Sequence, residues 1–199
     1  MNLKLFNPKW IRHRLSLISA ILFSMAILAF SYFSFGMWTT LIFTSGFFGG
    51  LVLWIATPNR SASFSSIKAP YFLTLAAFIL LHKVEENVFR FQEELSKITR
   101  TPVPELTSPA LILLLILSIG GWLLIPPLVK RGYQFGYYLA WTFFSAMGIT
   151  ELAHFVFPLF IEGSYRYFPG MLSVLVLAPS AWWGMFRLSR SSPTNRVFT

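Results

Sequence analysis

The sequence predicts an all-α fold: a polytopic transmembrane bundle of about six spans, forming one domain over residues 1–199. Three observations carry this. Hydrophobic residues make up 55% of the 199 and charged residues 12%, with a mean hydropathy of +0.64, a composition whose natural solvent is lipid. Residues 15–59 hold no charged side chain, a run long enough for two helices of about 20 residues, the length a hydrocarbon core of roughly 30 Å requires. The 16 Lys and Arg residues fall almost entirely between and outside the apolar runs.

Taken in order, Lys4, Lys9, Arg12 and Arg14 precede an apolar run in the manner of a secretory signal. That run continues to about Phe35 without a small-x-small cleavage pattern, so the expectation is a retained first span near 15–35. The stretch SFGMWTT is the expected turn into a second span near 38–56. After TPNRSASFSSIK comes a third near 69–89, and after QEELSKITRTPVPELTS a fourth near 109–129. A short KRG link leads to a fifth near 133–160, long enough to tilt or to end near Pro158, whose ring cannot continue an undistorted helix. EGSYR precedes a sixth near 167–187. No linker, low-complexity tract or repeat divides the chain.

Basic residues orient this arrangement. Lys4, Lys9, Arg12, Arg14, Arg60, Lys68, Lys130, Arg131, Arg187, Arg190 and Arg196 fall on one side, whereas Arg90, Lys97, Arg100 and Arg166 fall on the other, with Lys83 inside the third span. The positive-inside rule then places both termini in the cytoplasm, and the 90–108 loop and the 161–166 turn outside. The net charge of +9 acts on orientation and on anionic headgroups, so membrane lipid is the expected partner and nucleic acid is not. With no cysteine, disulfides, iron–sulfur clusters, thiolate zinc sites and a cysteine nucleophile are excluded. Any metal must be held by His and Glu.

The third span ends in HKVEENVFR. At 100° per residue His82, Glu85, Glu86 and Arg90 share one side of the helix, while Lys83 and Asn87 point elsewhere. His82 lies about 20 Å along the span, in the outer half of the bilayer. The fifth span reaches TELAH at a comparable depth, with Glu151 and His154 on one face by their i+3 spacing. An ionised residue at the bilayer centre costs about 2.5–3.5 kcal/mol, so three lone carboxylates would cost at most on the order of 8 kcal/mol. The inexpensive arrangement gathers Glu85, Glu86, Glu151, His82 and His154, with Arg90 or Arg166, into one cavity around a cation or a shared proton.

Blander readings exist for each piece. A helix end among headgroups accounts for Glu85, Glu86 and Arg90 as wet groups, and an interhelical hydrogen bond accounts for Glu151 with His154. TELAH at the same depth argues against the first, whereas for Glu151 with His154 alone the second stands level with a functional site. His13, among basic residues ahead of the first span, reads as a headgroup contact, and Glu93, Glu94 and Glu105 read as a solvated surface. Trp182 and Trp183 read as an interfacial belt. Three chemistries fit the constellation. Its imidazoles and carboxylates can ligate a divalent metal, zinc or iron and manganese, with an open position for water. They can move protons on a lipophilic substrate, or relay protons or cations in a small transporter or channel.

HKVEE at 82–86, His154 and YFPG at 167–170 together resemble the HXXEE family of bacterial integral membrane proteins, whose signature is His-x-x-Glu-Glu, a further histidine and Tyr-x-Pro-Gly. The resemblance covers residues 82–170. It implies the inner membrane of a bacterium and a family of unknown biochemical function suspected to be enzymatic, and it adds Tyr167 and Gly170 as supporting residues. In the predicted topology YFPG opens the sixth span, with its proline in the first helical turn. EENVFR also looks like the Glu-Glu-x-x-x-Arg motif of the CAAX-type intramembrane glutamate proteases, but the chain lacks their two further histidine motifs. A likeness to sterol isomerases, small bundles with His and Glu in an intramembrane cavity, is fold-level analogy.

The expectation is therefore an inner-membrane enzyme acting on a hydrophobic small molecule, such as a lipid, isoprenoid or quinone. His82, Glu85, Glu86, Glu151 and His154 are its candidate catalytic or metal-ligating residues, and Arg90, Tyr167 and Gly170 support them.

Overall fold

The computed structural model describes residues 8–57, 62–102, 107–161 and 163–190. The side-chain expectations for Lys4, Lys9, Arg12, His13, Arg60, Glu105 and Arg196 lie outside what it describes. The described chain forms six helices and no strand: α1 (Arg14–Ala56), α2 (Phe64–Val88), α3 (Phe91–Thr99), α4 (Pro109–Lys130), α5 (Gln134–Phe160) and α6 (Met171–Ser189). All but α3 are long and apolar enough to cross a membrane by length and composition.

α1 holds 43 residues, about twice what a ~30 Å hydrocarbon core requires. At Gly36 the backbone leaves helical space, with φ 77° and ψ −173°, a conformation open to glycine because it has no Cβ. The two arms then lie side by side. Phe23 meets Phe47 at 6.1 Å between ring centroids, although residues that far apart on a straight helix would be separated by about 36 Å. Ser24 Oγ and the Trp54 ring, one from each arm, both reach Tyr138, at 2.7 Å and 5.8 Å. The Thr40 hydroxyl donates to the Gly36 carbonyl freed at the bend, at 2.9 Å.

α5 is the axis of the bundle. Residues Gly136 to Gly148 are buried without a break, the pattern of a helix enclosed on every side. Its small hydroxyls tie it to its neighbours: Trp122 Nε1 of α4 donates to Thr142 Oγ1 at 3.2 Å, and Ser145 Oγ donates to the Ser45 carbonyl of α1 at 3.2 Å. Such bonds substitute for a hydrophobic driving force that is absent between helices in lipid. On the far side of α5, Trp182 of α6 donates its indole N–H to the Gly148 carbonyl at 2.6 Å.

Three boundaries differ from the sequence reading. α2 starts at Phe64, five residues early, and accommodates the buried Pro70 in its first half. The loop expected to be polar contains α3, because Phe91 and Leu95 recur at i+4 and give it an apolar side. α6 starts at Met171 rather than 167, so YFPG precedes the helix and Gly170 is its N-cap.

Gly50 marks the closest approach of α1 to α5. A Cβ there would lie 2.5 Å from Thr142 Cα and 2.7 Å from Thr142 N, backbone atoms that no rotamer change can move. Gly50→Ala should lower stability by about 1–3 kcal/mol through overpacking, whereas Gly120→Ala, whose Cβ would meet nothing within 4 Å, should not. Thermal melts of the detergent-purified variants measure both.

Candidate functional site

The site is built where two helices depart from regular winding. In α2, residues Ala77–His82 form a π-helical turn before regular helix resumes at Lys83; such turns recur at functional sites because they re-aim the side chains that follow. In α5, Ile149 takes φ −120° and ψ −54°, and Thr150–Leu152 wind as a 3₁₀ turn before Ala153–Val156 returns to α. The tighter winding brings residues at i and i+3 into one row. Glu151 and His154 therefore face α2 together.

His82 is fully buried and His154 is 2% exposed. Their rings stand perpendicular with centroids 4.9 Å apart. His82 Nε2 lies 3.1 Å from Glu151 Oε2 and 3.3 Å from Glu86 Oε1. His154 Nε2 lies 3.1 Å from the same Glu151 oxygen and 3.7 Å from the same Glu86 oxygen. One donor atom from each of these four residues lies within 4.8 Å of every other.

The remaining ring nitrogens face away from this centre. His154 Nδ1 is 2.5 Å from the Pro169 carbonyl, and His82 Nδ1 is 2.9 Å from Ser173 Oγ. The Ser173 hydroxyl in turn donates to the Gly170 carbonyl at 3.0 Å. Lys83 Nζ contacts Glu86 Oε2 at 2.5 Å. Three of the four central side chains are thus oriented from behind by Ser173, Pro169 and Lys83.

Glu85 does not join them. It turns to the start of α6, where Oε1 accepts from the Tyr167 hydroxyl and from the N–H groups of Gly170 and Leu172, both at 3.1 Å, and Oε2 accepts from the Ser173 N–H at 2.7 Å. A helix N-terminus presents unpaired N–H groups and the positive end of its dipole, and a carboxylate from another helix satisfies both. Tyr167 belongs to this cap and not to the group of four. Partial burial, followed by the neighbouring Glu85 carboxylate, holds its phenol above the ordinary value of 10.0.

Gly170 serves both arrangements. It has φ +100°, and a Cβ on it would come within 2.3 Å of His154 Nδ1, so neither the backbone nor the space admits a side chain. Arg90 is the residue furthest from its expected place. α2 ends at Val88, and Arg90 takes φ 54° as the N-cap of α3, so the i+8 projection from His82 no longer applies. Its side chain is 74% exposed and lies 3.6 Å from Glu93. Arg166, the other expected basic partner, pairs with Glu94 at 3.7 Å.

Lys83, expected to point elsewhere, is part of the site, and its i+3 spacing to Glu86 was the available signal. Ser173 was invisible in sequence, since a serine three residues into a span carries no mark of its partner. Phe91 packs its ring on His154 at 4.9 Å; the Phe91/Leu95 spacing would have announced that contact.

A cavity of about 220 Å³ adjoins the four residues, with Glu86, Glu151, His154 and Lys83 along one wall. Phe47, Phe78, Leu114 and Trp122 line its deeper part, and Phe91 and Leu95 of α3 border it at the other end. The rings of Phe78 of α2 and Trp122 of α4, both in the lining, meet edge to face at 6.4 Å.

A family model described as "Protein of unknown function with HXXEE motif" matches residues 73–184, a stretch that includes all four central residues and the Glu85 cap. No curated protein and no solved structure matches the chain.

Glu85→Ala leaves four donors without their acceptor and should destabilise the protein by about 1–3 kcal/mol; Tyr167→Phe, which removes one donor, should destabilise it less. Melting temperatures in detergent rank the two, and unchanged melting for Glu85→Ala would exclude the cap. The folded state also holds the Tyr167 proton more tightly than the unfolded chain does. Its contribution is therefore intact below pH 10 and lost as pH rises beyond it. Wild type should exceed Tyr167→Phe in stability by a constant margin below pH 10, and alkaline unfolding curves should show that margin shrinking above it.

Proposed function

The chain belongs to the HXXEE family of unknown function, and from that premise we propose that it is an integral membrane enzyme acting on a hydrophobic substrate. Glu86, Glu151, His82 and His154 are its reacting groups. One observation carries this reading: Glu86, Glu151 and His154, in contact with the buried His82, border a cavity lined otherwise mostly by aromatic and aliphatic side chains. Concave, mostly apolar sites with a few convergent polar groups are the usual form of a small-molecule site. Ionisable groups inside a membrane bundle, where they are costly, mark function by default.

The cavity's chemistry selects the substrate class. Aromatic and aliphatic walls accept a hydrocarbon body, and the Glu/His wall addresses one polar or unsaturated group on it, so a lipid, an isoprenoid or a quinone-like molecule fits. The reaction is acid–base or metal-assisted chemistry at that group. Glu85 and Tyr167 contribute by fixing the start of α6, and Gly170 by admitting the His154 ring. Arg90 has no part in the chemistry. Loop charges support an inner-membrane setting with both termini cytoplasmic and α3 on the outer side.

The deciding experiment compares the lipid-soluble metabolites of host membranes with and without the protein. Wild type should convert at least one such species. Glu151→Gln, and Ser118→Trp, which fills the cavity from the buried Ser118, should each reduce conversion by a factor of 10² or more. An unchanged lipid profile, together with proton or cation flux through protein reconstituted in vesicles, would replace this reading with an ion-coupled transporter.

A further inference from the structure

We infer that His82 Nε2, His154 Nε2, Glu86 Oε1 and Glu151 Oε2 form the binding site of one divalent first-row transition metal ion, such as zinc, iron or manganese. The inference deepens the reading of the cavity as a reaction chamber, but it rests on the donor geometry alone.

The hydrogen-bond directions come first. The Pro169 carbonyl can only accept, so His154 Nδ1 carries a proton; its Nε2 lies in hydrogen-bond geometry with Glu151 Oε2 at 3.1 Å, so this nitrogen either donates a second proton to that carboxylate or, in the neutral ring, offers its lone pair to an ion between them. The Ser173 hydroxyl has one hydrogen and directs it to the Gly170 carbonyl. Ser173 Oγ therefore accepts from His82 Nδ1, and His82 also presents its Nε2 lone pair inward. With both rings neutral, two imidazole lone pairs and two carboxylate oxygens face one another at 3.1–3.7 Å. Such a set repels itself unless a cationic centre holds it.

A shared proton and a metal ion make different demands on direction. Fully buried His82 Nε2 contacts both carboxylates, yet it forms a hydrogen bond with neither. A proton on that nitrogen would need an acceptor along the N–H direction. A metal needs only that the donors surround a common point. Bonds of about 2.0–2.1 Å from zinc to imidazole nitrogen or carboxylate oxygen set tetrahedral edges of about 3.3–3.4 Å. Four of the six edges, the His-to-Glu separations of 3.1, 3.1, 3.3 and 3.7 Å, bracket that length, and all six lie within 4.8 Å, so binding would draw the donors together along the longer edges.

The surroundings match as well. Ligating histidines characteristically donate their outer N–H to a carbonyl or other acceptor, which fixes tautomer and ring direction; Pro169 and Ser173 do this here, and Lys83 does the corresponding service for Glu86 Oε2. Two imidazoles with two carboxylates suit zinc, iron or manganese, whereas calcium and magnesium favour sites made of oxygen. His154, Glu86 and Glu151 line the cavity and His82 lies behind them, so the accessible side of the ion would face the substrate space. There it would supply Lewis-acid chemistry or an activated water. Glu85, fully engaged at the start of α6, is not a ligand.

The test is metal analysis of the full-length protein in detergent, as purified and after chelation and titration with Zn²⁺ or Co²⁺. One equivalent per chain is expected, with the visible bands of four-coordinate cobalt. Glu151→Gln and His154→Ala should lose the ion, and Glu85→Gln should keep it. Ser173→Ala should retain stoichiometry and bind about 10–100-fold more weakly. Uptake of none of Zn²⁺, Co²⁺, Mn²⁺ and Fe²⁺ by wild type at micromolar concentration would overturn the proposal, as would uptake unaltered by Glu151→Gln. Conversion of a lipid by demonstrably metal-free protein would overturn it while leaving the enzymatic reading in place.

Discussion

A carboxylate surrounded by hydrocarbon is tolerable only when something meets it, and one end of this bundle is organised by that requirement. α2 carries two adjacent glutamates and α5 carries a third. Hydrophobic packing between helices in lipid is only weakly specific, because lipid tails compete with side chains on equal terms. Polar contacts therefore decide the rotation of one helix relative to another. Glu86 and Glu151 meet the two imidazoles and set α2 against α5. Glu85 meets the N–H groups of α6 and sets α2 against α6. The oxygens and nitrogens that make the site also fix the three helices that present it.

The cavity follows from the same division. α2 and α4 approach at one end through the Phe64–Ala76 and Ile125–Lys130 segments, and Phe78 meets Trp122 between them. Beyond that contact both helices contribute lining residues to a volume of about 220 Å³. The buried axis α5 supplies Glu151 and His154 from one side, and the second arm of α1 supplies Phe43 and Phe47. A polar wall faces apolar ones. A chamber of this kind suits the proposed substrate class, a molecule with one polar or unsaturated end and a hydrocarbon remainder.

Much of this was legible in the sequence, for specific reasons. The charge-free stretch 15–59 announced more apolar length than one crossing needs, and SFGMWTT contained the one residue, Gly36, able to take the observed φ. His82 with Glu86, and Glu151 with His154, could be assigned to shared helix faces by i+4 and i+3 spacing, and their common depth followed from counting along each span. The separate duties of Glu85 and Glu86 were not legible. Both lie within 60° or so of the His82 direction on an ideal helix, and which one looks to α5 and which to α6 depends on the π turn at Ala77–His82 and on where α6 begins. That beginning is set by Gly170, whose positive φ no pattern of hydropathy reveals. Arg90 was misplaced because a helix was extended past its real end at Val88. α3 was missed because its length is short and its polar residues dominate a composition count.

Glu85 and Glu86 stand side by side in one short motif, yet their carboxylates leave the helix for different neighbours. One holds the architecture and the other faces the chamber. The pair thus ties two demands to one motif: replacing the first glutamate frees the N–H groups at the start of α6, whereas replacing the second strips both imidazoles of a carboxylate neighbour and alters the lining of the cavity.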